Sequence, residues 1–138
     1  MAHPVALARS LLALRLSVFL VMFMWTLDKF VNPEHAIKVY GTFYGLRGLG
    51  STLLLTIGAA EMALLLAFVA GLWKRWTYGA VFLLHAISTL ASFKQYLSPW
   101  DNLLFFAAWP MLAACYALYV LRDEDVLLTV RGAIHKVS

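Results

Sequence analysis

The chain has 138 residues, of which 63% are hydrophobic and 13% charged, and its formal net charge is +4. A mean hydropathy of +0.81 is more apolar surface than a soluble domain this small can hide, so a single all-α integral membrane domain over residues 1–138 is expected. The single cysteine, Cys115, excludes an intramolecular disulfide, a CxxC pair and a thiolate metal cluster, and cations scattered at segment ends argue against a nucleic-acid partner.

A spanning helix needs roughly 20 mostly apolar residues. The first candidate covers about residues 11–31, with a charge-free centre at 16–27 bounded by Arg15 and by Asp28-Lys29. Its length also fits a signal-peptide core, but no small-x-small cleavage site follows, so a retained helix is expected. Asn32-Pro33-Glu34 then reads as a helix start: a cap, a proline in the first turn and an acid near the positive helix end. Ile37, Tyr40 and Tyr44 recur at helical spacing, and Gly41, Gly45 and Gly48 supply stop signals. A short interfacial helix, or a structured loop, is expected between the first two spans.

The second span covers about residues 50–72 and is interrupted only by Glu61. The third covers about 77–97 and contains His85. The fourth covers about 102–121, carries no formal charge, and contains Pro110, which is expected to bend it by removing a backbone bond. The connections Trp73-Lys74-Arg75-Trp76 and Ser98-Pro99-Trp100-Asp101 are short, which makes antiparallel neighbours. The predicted architecture is therefore a four-transmembrane-helix bundle. The tail, residues 122–138, opens with Arg122-Asp123-Glu124-Asp125 and continues with an apolar run at 126–130 too short to span. That run could lie on the membrane, pair as a strand or dock on a partner.

Cation counts predict orientation. The side holding both termini carries Arg9, Arg15, Lys74, Arg75, Arg122, Arg131 and Lys136; the other carries Lys29, Lys38, Arg47 and Lys94. Seven against four predicts that both termini face the cytoplasm.

Ionisable groups are costly in lipid and usually face a bundle interior. Glu61 lies eleven positions before Leu72, about 16 Å from that end by helical rise. His85 lies eight positions after Thr77, about 12 Å from the same side, which makes it a candidate partner of Glu61, the alternative being a neighbouring subunit. Tyr78, His85, Ser88, Thr89, Ser92 and Tyr96 form a polar stripe expected to face inward. On the first helix Arg15, Met22, Thr26 and Lys29 share a face, while Asp28 lies on another side near the outer surface. Lys29 and Arg15 either snorkel and anchor at the two surfaces or turn inward as counter-ions. Lys94 is expected to snorkel, and Cys115 and the methionines to pack. No metal site is expected, since His85 has no second ligand at helical spacing. Candidate ligand-binding residues are Glu61, His85, Arg15, Lys29, Asp28 and Ser88. No catalytic residue is assigned.

Arg15-Leu16-Ser17, Phe23-Met24-Trp25, Lys29-Phe30, Gly58-Ala59-Ala60-Glu61, Gly71-Leu72 with Lys74-Arg75 following, and Asn102 occur in that order. Over about residues 11–122 this ordered set resembles the DoxX-like superfamily of small four-helix membrane proteins. The stretch around the first helix resembles relatives linked to reactive-chlorine resistance. The resemblance implies a four-helix bundle with recurrent polar positions at Arg15, Lys29 and Glu61. It also implies association with quinone-linked sulfur oxidation, as in the small subunit of thiosulfate:quinone oxidoreductase, or with oxidative-stress membrane complexes. A related branch, MauE, is linked to thiol chemistry. This chain departs from that branch, because Cys115 stands alone, and it has Thr26 and Asp28 where small residues often precede the lysine.

Three readings stand side by side. The first is a membrane subunit of a redox or oxidative-stress system, not a stand-alone enzyme, with a quinone as its non-intrinsic cofactor and Glu61 and His85 exchanging protons with it. The second is a binding or transport protein for a small amphiphile or lipid. The third is a structural subunit whose polar groups only fix helix packing. Expected partners are membrane lipid and a protein subunit or a second copy of the chain.

Overall fold

The computed structural model describes residues 4–45 and 50–130. Among them the backbone is helical without strands. Six α-helices follow one another: α1 (Pro4–Val31), α2 (Pro33–Tyr44), α3 (Ser51–Val69), α4 (Lys74–Ala91), α5 (Phe93–Tyr96) and α6 (Ala108–Val120). Helices α1, α3, α4 and α6 form the bundle: α3 packs between α1 and α4, and α6 closes the ring against α4 and α1. The short α2 lies across α1, α3 and α4 at one end. The tail passes over the other.

Among the described residues, three segments are long and apolar enough to cross a membrane: Pro4–Val31, Thr52–Val69 and Leu103–Val120. Their apolar side chains turn largely outward, with Leu20 60%, Leu66 53% and Leu104 89% exposed. That is inverted relative to a soluble bundle, whose exposed face is polar. Inward, α1 presents one seam: Ala8, Leu11, Arg15, Val18, Met22, Thr26 and Lys29 are buried. The three- and four-residue steps keep that stripe on one side of the helix. Leu11, Val18 and Met22 join Leu65 and Phe68 of α3, Tyr78 and Val81 of α4, and Cys115 and Leu118 of α6 in the apolar core.

Several boundaries differ from expectation for local reasons. Helix α1 begins seven residues earlier than predicted, at Pro4, where a proline needs no amide partner. The predicted helix at 77–97 breaks at Ser92, and Phe93–Tyr96 form a separate turn of helix. The last span starts as a 3-10 segment, Leu103–Ala107, before α6. Pro110 therefore falls in the first turn of α6, where amides have no intrahelical acceptor, and the bend expected within a continuous helix becomes a change of helix type upstream. The short helix anticipated after Asn32 is present; it ends at Gly45 in the left-handed conformation (φ 67°), whose amide donates to the Tyr40 carbonyl. Arg47 and Gly48, Arg131 and Lys136, and the tail beyond residue 130 lie outside the described residues.

Helix α3 ends in a Schellman motif. Leu72 N donates to Ala67 O, Gly71 N donates to Phe68 O, and Gly71 holds φ 71°. This turn is also where the tail docks. Val130 N donates to Ala70 O at 2.9 Å, and a Cβ on Gly71 would stand 2.6 Å from Thr129 Cγ2.

Candidate functional site

The α1 seam carries two polar layers separated by Val18 and Met22. The layer nearer α2 centres on Glu61. Lys29 Nζ donates to Glu61 Oε2 at 3.0 Å, and Tyr40 OH donates to Oε1 at 3.3 Å. The Thr26 hydroxyl donates to Met22 O at 2.8 Å and lies 3.3 Å from Oε2. Lys29 Nζ also sits over the Tyr40 ring, 5.6 Å from its centroid. The ion pair is well sheltered, with side chains 10% and 20% exposed. Gly58, one turn before Glu61, lets α1 approach: a Cβ there would meet Phe30 Cζ at 3.0 Å. Burial, and then the neighbouring Glu61 charge, push the Tyr40 phenol well above its ordinary value.

Helix α2 carries this layer across to α4. Tyr44, one turn after Tyr40, stacks near it at 5.3 Å and shares a 2.7 Å hydrogen bond with Ser88 Oγ. One turn before Ser88 lies His85, only 1% exposed. Its Nε2 donates to Ala108 O at 2.9 Å, because a carbonyl only accepts. Its Nδ1 is buried without a partner. The imidazole stacks on Trp25, the neighbour of Thr26 on α1 (6.1 Å between centroids). Polar groups of α1, α2, α3 and α4 thus converge under α2.

Glu61 is therefore partnered by Lys29, Tyr40 and Thr26, and His85 by Ala108 O, with Thr89 Oγ1 3.3 Å from Nε2. The candidate Glu61–His85 pair does not form. Equal depth on two helices leaves their facing directions open, and Lys29 of α1 occupies the position beside the carboxylate. Lys29 and Arg15 both turn inward. Asp28 points away from the layer: it accepts from Asn32 Nδ2 at 3.3 Å and pairs with His35 Nδ1 at 2.5 Å. Lys94 is exposed.

Arg15 belongs to the second layer, at the tail end. Its Nη1 donates to Asp125 Oδ1 at 2.6 Å, and its Nη2 donates to Leu127 O at 2.6 Å and Leu128 O at 3.2 Å. Tyr78 OH donates to Asp125 Oδ2 at 2.5 Å. Lys74 Nζ donates to Arg122 O at 3.1 Å and to Asp125 O. Asp125 and Arg15 side chains are both 0% exposed.

Sequence reasoning missed Asp125, Lys74 and the roles of Tyr40 and Tyr44. The i, i+4 spacing of the two tyrosines was a usable signal, since it puts both rings on one face of a helix that cannot span. Asp125 had none, being one of three acids in a run that reads as solvated.

No protein-family model, curated protein or solved structure matches the chain. The DoxX-like resemblance therefore stands on its quoted residues alone.

Proposed function

We propose that this chain is a DoxX-like integral membrane protein whose four long helices all span. In this reading the layer under α2 binds the headgroup of a quinone-type molecule, as a subunit of a redox or oxidative-stress system. Helix α4 has 18 residues, about 27 Å of rise, close to the hydrocarbon thickness. It packs between α3 and α6 with Leu83, Ile87 and Leu90 outward and Thr77, Tyr78, His85 and Thr89 inward, as a spanning member of the ring would. Taking buried Arg15, Lys74 and Lys29 out of the cation counts leaves five against three. The excess still favours cytoplasmic termini in a bacterial inner membrane.

The observation that carries the binding reading is the buried, unpartnered Nδ1 of His85 beside Trp25 and one turn from the Tyr44–Ser88 pair. With Nε2 holding its proton against Ala108 O, Nδ1 is a bare acceptor, suited to a hydroquinone hydroxyl. Lys29, with ammonium hydrogens to spare, and the one hydroxyl hydrogen left over from the Tyr44–Ser88 pair are donors suited to quinone carbonyl oxygens. Quinone reduction takes up two electrons, which a reductase partner subunit would supply, and two protons, which the Glu61 carboxylate within hydrogen-bond reach of Lys29 and Tyr40 can relay. The same layer has an apolar wall in Trp25 and the tyrosine rings for a planar headgroup.

The test is titration of detergent-solubilised protein with a short-chain quinone, read by quenching of Trp25 fluorescence against a Trp25→Phe control. His85→Ala and Glu61→Gln should each weaken binding about tenfold, the effect of one lost hydrogen bond. Quenching that is absent, or equal in all variants while their unfolding midpoints shift, would leave only a packing role. Displacement by a cationic amphiphile irrespective of quinone redox state would instead favour an amphiphile-binding protein.

A further inference from the structure

We propose that Arg15, Lys74 and Tyr78 form an anion-binding site at the tail end of the bundle, filled here by the chain's own Asp125 and open to the carboxylate or phosphate of a separate ligand when the tail lifts. This site is independent of the layer under α2.

The receptor belongs to the bundle and the ligand to the tail. Arg15 comes from α1, and Lys74 and Tyr78 from the first two turns of α4. All three are buried, and the phenol and guanidinium each take one oxygen of the Asp125 carboxylate. Two oxygens bound by an Arg donor and a hydroxyl are the contacts a free carboxylate or phosphate would make. The guanidinium is not used up: Arg15 Nε is buried with no partner, so one donor still faces no acceptor. A buried donor left unmade is uncommon unless something else can reach it.

Besides that carboxylate, the same receptor side chains hold the tail backbone: Arg15 Nη2 donates to Leu127 O and Leu128 O, and Lys74 Nζ donates to Arg122 O and Asp125 O, donors that a lifted tail would hand to the incoming anion. Val126, Leu128 and Val130 expose about half or more of their surface: 50%, 78% and 43%. Leu128 holds φ 51°, a left-handed conformation that a leucine adopts at a cost and sheds on release. Further anchors include the Val130 N to Ala70 O bond and Thr129 against Gly71. Arg75 and Trp76 of α4, with their neighbour Trp73, border the same end and are exposed, as groups meeting headgroups are. A lipid headgroup and a soluble anion are therefore both sources of the required chemistry.

The experiment uses the full chain in a neutral detergent. Asp125→Ala should lower the unfolding midpoint, and acetate or inorganic phosphate should restore it saturably, beyond chloride at equal ionic strength. The double variant Arg15→Gln/Asp125→Ala should show no restoration. For wild-type protein, tryptic cleavage at Arg122 should accelerate about tenfold at ten times the dissociation constant of the anion, because the anion stabilises the open form. The same acceleration in nanodiscs of phosphatidylglycerol but not phosphatidylcholine, without soluble anion, assigns a lipid headgroup. Acceleration only by soluble phosphate or acetate assigns a free anion. Cleavage indifferent to every anion overturns the lifting tail, even if Asp125→Ala is rescued. If Asp125→Ala does not fold, the wild-type cleavage assay decides alone.

Discussion

Arg15 and Asp125 are 110 positions apart in sequence and 2.6 Å apart in space, and neither side chain is exposed. The contact joins the first helix to the segment that follows the last, so the bundle is closed at that end by an ion pair. Isolated, either charge would be expensive in an apolar surrounding, and together they satisfy each other only while the tail is in place.

Removing one partner should cost more than removing both. Asp125→Asn or Arg15→Gln is expected to destabilise by about 3–5 kcal/mol, since each strands a buried polar group. Arg15→Met/Asp125→Leu should recover most of that loss. Urea unfolding of the purified protein in detergent, followed by far-UV circular dichroism, measures both.

The Lys29–Glu61 pair is less sheltered, with side chains 10% and 20% exposed. A double-mutant cycle with Lys29→Met and Glu61→Gln should give a coupling of about 1–3 kcal/mol. A cycle of Glu61→Gln with His85→Ala should give coupling near zero, since no contact joins those two residues. Significant Glu61–His85 coupling would contradict the arrangement under α2.

Tyr40 supplies a pH dependence. Its phenol is raised above the ordinary value of 10.0 by burial first and by Glu61 second. The folded state therefore holds that proton more tightly than the unfolded chain. The resulting stabilisation is full below the unfolded value and is lost as pH climbs from there towards the folded value. Wild-type stability should fall more steeply than that of Tyr40→Phe above about pH 10, as thermal unfolding at stepped pH would reveal.

Two glycines should respond differently to alanine. At Gly71, φ is 71° and the new Cβ would meet Thr129 Cγ2 at 2.6 Å, with the tail's own backbone behind it. Gly71→Ala should cost about 1–3 kcal/mol through the left-handed strain and the displaced tail. At Gly58 the contact is Phe30 Cζ at 3.0 Å, the far end of a side chain that is 40% exposed and can swing. Helix propensity offsets that displacement by about 1 kcal/mol, so Gly58→Ala should be near neutral. Chemical unfolding of the two variants side by side is the check.

Much of this architecture was legible before any coordinates. That Arg15, Met22, Thr26 and Lys29 share one face of α1 follows from 3.6-residue periodicity, whereas the inward turn of that face does not. The short α2 follows from Asn32-Pro33-Glu34 at one end and Gly45 at the other, both local signals that act within a few residues. Tyr78, His85 and Thr89 read correctly as an inward stripe of α4, because polar groups shun lipid wherever the neighbouring helices stand.

Pairing was not legible. Helical rise orders residues by depth, so Glu61 and His85 came out level, but depth does not say which way two helices face each other. A lysine at the end of a span by itself favours snorkelling over turning inward, and only the seating of α1 against α3 decides for Glu61. Asp125 follows Asp123 and Glu124, and nothing local separates the three acids. The chain's path across the bundle end buries Asp125 against Arg15 and leaves the other two in the open. Composition and periodicity are short-range properties, and they indicate where helices run and which residues share a face. The choice of partner for each buried charge is a long-range one, made by how whole helices rotate and where the tail lands, and it resides in the tertiary structure.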